Sequence, residues 1–227
     1  DMVQSRGLGD VYKRQGLVKS IIRNIDNIYV LDKIPDYEPH KETSLGSKAK
    51  KLNREINDYI YDILLEEDGN SLLYYPIGNY LDYSLEASLE MISSDHTLLG
   101  LGDGGAHCAT ICDASFTTHM LTFWGRDRTR GKKLDLPWII KSYTRDNALA
   151  IGLKDRGLIK EGMKADINII DFDNLTLYSP EIRYDLPAGG KRLVQRVDGY
   201  KYTIVSGKVT YVDGVSTGEL PGRLIRS

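Results

Sequence analysis

The stretch His96–Cys108, HTLLGLGDGGAHC, sets an aspartate, three glycines and a histidine directly after a short apolar run. If Leu98–Leu101 is a strand, Asp103 stands at its carboxyl end, where parallel α/β sheets collect their ligands. Gly102, Gly104 and Gly105 permit tight turning and close approach of backbone or ligand. His107 lies four residues after the aspartate, near enough to share a site. A carboxylate and an imidazole at a strand end can work as base and partner, or as metal ligands. The same residues also allow a plainer reading, in which Asp103 caps the next helix and His107 is a surface residue.

Further ligand types occur at Cys108, Cys112, Asp113 and His119. Cys108 and Cys112 are spaced i, i+4, so on a helix they share a face and, with His107, could hold zinc. The cluster lacks a short-spaced CxxC pair, and single cysteines are common small hydrophobes in cores. His119 and Trp124 are expected to pack on a helix or line a pocket. His40 and His96 are expected at the surface.

The elements that must carry these residues alternate. Apolar residues recur over Ile21–Ile34, consistent with a strand leading into DYEPHKETS. Ser44 or Ser47 can cap a helix over Lys48–Glu66, whose Leu52, Ile56, Tyr59, Ile60, Ile63 and Leu64 share one face. Gly69 and Asn70 stop it. Leu72–Tyr75 reads as a strand before Pro76. Leu85–Ile92 reads as a helix with Asp82 and Ser84 as candidate caps, and helices are expected from about Asp113 to Asp127 and from Leu136 to Ile151. Alternation of this kind points to parallel β/α units. After Gly152 the helical period disappears. Asp166–Asp171, Leu193–Val197, Tyr202–Ser206 and Lys208–Val212 are short β-branched runs divided by turn signals such as SGK and VDGV, which predicts a separate antiparallel module. The chain thus divides into residues 1–15, 16–152 (β/α units) and 153–227 (a β-rich portion). Residues 1–15 carry no periodicity, and Asp10–Gln15, DVYKRQ, resembles the translation of a transposase adapter used in sequencing libraries; the expectation is a non-native or disordered segment.

Of 227 residues, 41% are hydrophobic and 27% charged, with a net charge of −2, and the pI is near 6.1. No concentrated basic footprint argues for nucleic acid or an anionic membrane surface. No apolar run approaches the roughly 20 residues that span a bilayer. Two cysteines make no disulfide framework, which favours a reducing compartment and a cytoplasmic location.

Asp155–Asp173, DRGLIKEGMKADINIIDFD, is more specific. Gly157, Ile159, Gly162, Ala165, Asp166 and Asp171 form a pattern of two glycine turns and then an alternating strand. It resembles the segment that returns the chain from barrel to β-module in the amidohydrolase superfamily. Its acidic residues are read as architectural. With LLYYPIGNY (72–80), LGLGDGGAHCATICDAS (99–115), WGRDRTRG (124–131), TRDNALAIGL (144–153) and DLPAGGKRLVQRVDGY (185–200), the chain from about Gly16 onward is similar to the C-terminal part of N-acyl-D-amino-acid deacylases.

That resemblance implies an α/β fold, the C-terminal part of a (β/α)8 TIM-type barrel joined to strands of a small β-sandwich. It implies one or two zinc ions in the complete enzyme, with Asp103 touching the metal and taking a proton from its water. Gly104, Gly105 and His107 then fall to substrate binding or to the residues just behind it. The remaining metal ligands are expected upstream, because this chain has no H-x-H and only four histidines. It is therefore expected to be inactive and poorly stable without the missing N-terminal part of the same enzyme. The implied partner is a small-molecule amide, with no nucleic acid and no membrane.

One departure concerns substrate. D-aminoacylases carry an arginine for the substrate carboxylate in a proline-histidine-proline-arginine context, and this chain has Ile111, Cys112 and Asp113 there. Arg126, Arg128 or Arg130 would have to substitute. A linear N-acyl-D-amino acid leads; a cyclic amide, as in hydantoinase- or dihydroorotase-like relatives, and a non-catalytic binding domain are the alternatives.

Overall fold

The computed structural model describes residues 25–76, 78–80, 82–100, 102, 112 and 114–225, which fold as two units. The first comprises residues 25–32 and 36–85, and the second residues 33–35 and 86–225.

In the first unit a 3-10 turn, Ile25–Asn27, precedes β1 (Tyr29–Val30), which pairs antiparallel with β2 (Leu73–Tyr74). Both strands are shorter than their apolar runs predict. Pro76 soon after β2 has no N–H to offer a longer ladder. The single helix expected over Lys48–Glu66 is two: α1 (Leu45–Lys51) and α2 (Ile56–Gly69). Asn53 takes a positive φ of 50° between them, and each helix has its own cap. Ser44 Oγ accepts the Ser47 N–H at 3.2 Å, and the Glu55 carboxylate accepts the N–H groups of Asn57 and Asp58 at 2.6 and 3.2 Å. Polar side chains thus satisfy donors that a continuous helix would have satisfied itself. Leu45 and Ala49 are buried. Along α2, Ile56, Tyr59, Ile60 and Ile63 are half-buried, whereas Leu64 and Leu65 are exposed.

The second unit begins with α3 (Glu86–Ile92). A strand is predicted over Leu98–Leu101; Leu98–Gly100 pair with no strand among the described residues. Leu101 lies outside the described residues. α4 (Phe116–His119) continues as a π-helical segment, Met120–Asp127, in which the Arg128 N–H reaches the Phe123 carbonyl at 2.8 Å. α5 (Leu136–Lys141), capped by Asp135, continues through a second π-helical stretch, Ser142–Asp146, into α6 (Asn147–Ala150).

Six strands follow, and four of them overlap the runs predicted for the β-rich tail. β3 (Ile167–Ile170), β6 (Tyr200–Val205), β7 (Lys208–Val212) and β8 (Val215–Ser216) form an antiparallel sheet in the order β3-β6-β7-β8. β4 (Thr176–Leu186) and β5 (Gly190–Asp198) form a hairpin. The tight turns are the ones signalled: Ser206 and Gly207, then Asp213 and Gly214, all adopt positive φ, as two-residue hairpins require. β4 carries Pro180, and its register against β5 shifts between Leu177 and Pro180. A proline inside a strand run demotes it in any sequence reading, and a bulge is where one is tolerated. Every strand pairing among the described residues is antiparallel, within a mixed α/β architecture. No helix among them is long and apolar enough to cross a membrane.

Gly199 joins β5 to β6 at φ 111°, and a Cβ there would sit 2.8 Å from Leu175 Cα. Leu175 is fully buried, so the neighbour cannot yield. Gly199→Ala is expected to cost about 2 kcal/mol or more in urea unfolding, whereas Gly207→Ala, also at positive φ but facing open space, should cost about 1 kcal/mol. Equal costs would show that the contact with Leu175 does not constrain the fold.

Candidate functional site

Asp103, Gly104, Gly105 and His107 lie outside the described residues, as do Cys108, Ile111 and Asp113. The chain is described on either side of that stretch. On the near side Leu99 is buried, and its carbonyl accepts Asn147 Nδ2 at 2.5 Å. Asn147 opens α6 and belongs to TRDNALAIGL, so an element 48 residues away in sequence holds the backbone just before Gly102.

On the far side α4 is tied to the β-module. Ser115 Oγ donates to Gln195 Oε1 at 2.5 Å, and Gln195 Nε2 donates to the Tyr178 carbonyl at 2.7 Å. Thr118 Oγ1 and the Tyr200 hydroxyl share a hydrogen bond of 2.9 Å. His119 and Trp124 pack, as expected. The His119 ring stacks on Phe123 with centroids 4.9 Å apart and planes 8° from parallel, and burial pushes its pKa down to about 4. His40 and His96 are exposed, and Cys112 is half-buried.

The arginines of WGRDRTRG have structural partners. Arg128 is buried, with its guanidinium 4.7 Å over the Trp124 ring, donating to Glu86 Oε1 at 2.8 Å and to the Lys132 carbonyl at 3.0 Å. Gly131 makes room for this pair: a Cβ there would lie 2.1 Å from Glu86 Oε1. Arg126 donates to the carbonyls of Phe172, Asp173 and Leu175, the last two at 3.2 and 2.7 Å, and lies against Asp127. Arg126 and Arg128 therefore hold the chain together where the sequence left them open as partners for a substrate carboxylate.

The return segment is architectural, as read. Asp166 accepts the Ser206 N–H at 2.8 Å and pairs with Lys164. Asp171 accepts from the Asn174 side chain and N–H, and Gly157 packs against the Thr144–Arg145 backbone, 2.8 Å from where its Cβ would stand. Among the described residues no group of three or more His, Cys, Asp or Glu is placed to hold a metal ion.

The half-buried, stacked imidazole of His119 has a pH consequence. Its pKa is lower folded than unfolded, so protonation favours the unfolded chain. Stability is complete above about pH 6.5 and falls as pH drops toward about 4. The His119 contribution is at most about 3 kcal/mol. His119→Gln should lose less stability than the parent across that window in parallel melts; identical pH dependence would remove the assignment.

Residues 70–211 match the sequence profile of a family described as the Amidohydrolase family. No curated protein and no solved structure matches the chain. The matched region takes in the glycine-rich stretch at Asp103, the segments that hold Arg126, Arg128 and Asn147, and most of the β-module. On that match, the chain belongs to the amidohydrolase family.

Proposed function

We propose that this chain carries the last β/α units of a (β/α)8 barrel and half of a small β-sandwich from a zinc-dependent, cytoplasmic amidohydrolase. Its leading substrate class is a linear amide of the N-acyl-D-amino-acid type. The observation that carries the reading is the family match across residues 70–211, which places Asp103 and its glycines inside a hydrolase sequence. A carboxylate oxygen suits zinc. Among the described residues no group of three or more His, Cys, Asp or Glu is placed to hold a metal ion, and in this reading the other zinc ligands come from the N-terminal part of the same enzyme. Apolar side chains exposed at Leu149, Ile151, Leu158 and Ile159 fit a surface that is covered in the complete enzyme.

When bound, zinc acidifies a water and polarises the amide carbonyl. Asp103 takes a proton from the attacking water and returns it to the departing nitrogen, so that the C–N bond breaks with a neutral amine leaving. Gly104 and Gly105 let the substrate approach the backbone, and His107 contacts its polar end. A second reading, a cyclic uncharged amide, gains from the engagement of Arg126 and Arg128 in the fold.

In the full-length enzyme Asp103→Asn should lower kcat for N-acetyl-D-methionine or for hydantoin, whichever is turned over, by on the order of 100- to 10,000-fold, with KM changed less than about threefold. Unchanged kcat would remove Asp103 from its role. Treatment with 1,10-phenanthroline should abolish turnover and added zinc should restore it, whereas full turnover in metal-free buffer would exclude the zinc mechanism.

A further inference from the structure

We infer that the outer edge of the β4–β5 hairpin is an interface between two copies of the chain, in which β4 pairs antiparallel with its own copy about a two-fold axis at Ile182. β4 is 11 residues long and β5 nine, and among the described residues they form a sheet of two strands. Leu177 at the base of the hairpin is buried, whereas every residue from Ile182 to Gly189 is exposed. The Lys33 carbonyl accepts the Ser179 N–H at 3.1 Å, which covers the strand as far as that residue and puts the start of the edge at Pro180. A ribbon of two strands has little stability of its own, and its edge is a template for a further strand.

The charge pattern says what that strand is. Alternation puts Glu181 and Arg183 on one face of β4 and Pro180, Ile182 and Tyr184 on the other. Ile182 and Tyr184 are 44% and 70% exposed, and the side chains of Arg183 and Glu181 are 47% and 41% exposed. Charges on an edge ordinarily keep a second strand away. Here their order makes the edge self-complementary. An antiparallel copy centred on Ile182 sets Glu181 opposite Arg183 twice, Ile182 against Ile182, and Tyr184 against Pro180 at both ends. Directly opposed pairs of opposite charge stabilise antiparallel strands, as do aromatic and branched apolar pairs, and like charges destabilise them. Arg183 already donates to Glu181 of its own strand at 2.7 Å, so the two copies close a ring of four alternating charges. Other registers lose this match. A one-residue slip turns the apolar face against the charged one, and an axis at Glu181 or Arg183 sets each of those residues against its own copy. An axis at Tyr184 would draw on Asp185, but Arg192 holds both oxygens of that carboxylate at 2.7 Å, and the ladder with β5 shifts between Arg183 and Leu186.

The test is sedimentation velocity of the full-length enzyme as a function of concentration, beside Glu181→Arg, Arg183→Glu and an equal mixture of the two variants. The parent is expected to dimerise. Each single variant opposes like charges at both symmetry-related positions, so its dimer dissociation constant should rise about tenfold or more. In the mixture a strand with two arginines meets a strand with two glutamates, and dimer should return to the parental level as the heterodimer. That recovery separates contact between copies from damage to the hairpin, which mixing cannot repair. A parent that stays monomeric, as it would if the N-terminal part of the same chain or another protein covered this edge, would overturn the inference. So would a dimer that neither variant weakens, or weakening that the mixture does not reverse. Should a charge variant not fold, Ile182→Lys sets two ammonium groups together on the axis and should weaken the dimer as much; a parental dissociation constant in Ile182→Lys would count against the inference.

Discussion

Arg128 lies buried between the face of Trp124 and the carboxylate of Glu86, and Arg126 grips the carbonyls of Phe172, Asp173 and Leu175. Between them they fasten α3, the π-helical segment Met120–Asp127 and the loop after β3. An arginine is suited to this because its planar fork of donors satisfies several carbonyls at once and its flat face can stack on an indole. Burying such a charge is costly unless it is paired and fully hydrogen-bonded. The glycine at 131, next to Glu86 and Arg128, shows how closely the local backbone is fitted to that requirement.

This constraint bears on the chemistry. In the proposed mechanism the reactive stretch 103–107 is approached from Leu99, anchored by Asn147, and left toward Ser115 and Thr118, anchored by Gln195 and Tyr200. The supports on the two sides come from different parts of the second unit, and the arginines connect helical and β-rich portions of it.

Much of the β-rich portion could be read from the residues, because its determinants are local. SGK and VDGV encode their turns by which residues accept positive φ, and alternation gives the strands between them. Ser44 as a cap was equally legible. Long-range features were not. β4 was hidden by Pro180, whose tolerance depends on a bulge opposite β5. Leu98–Gly100 has the composition of a strand, but pairing is a property of neighbours that composition does not contain. Arg126 resembled a candidate substrate ligand because its carbonyl partners lie 46 to 49 residues downstream, and Arg128 because its carboxylate partner, Glu86, lies 42 residues upstream; no spacing rule announces either. Asn147 left no signal for the same reason. Asp103 and His107 stood out by type and setting, and the family match supports their neighbourhood without assigning their roles.

In the proposed enzyme Asp103 meets a zinc ion in an amidohydrolase centre completed by residues beyond this chain. The most direct measurement is a crystal structure of the full-length enzyme with anomalous diffraction recorded on both sides of the zinc absorption edge. The expected result is a zinc peak about 2.0–2.2 Å from an Asp103 carboxylate oxygen, with Arg126 and Arg128 still on their carbonyls and on Glu86. A zinc site to which Asp103 makes no approach, or a turning-over enzyme without any zinc peak, would contradict it.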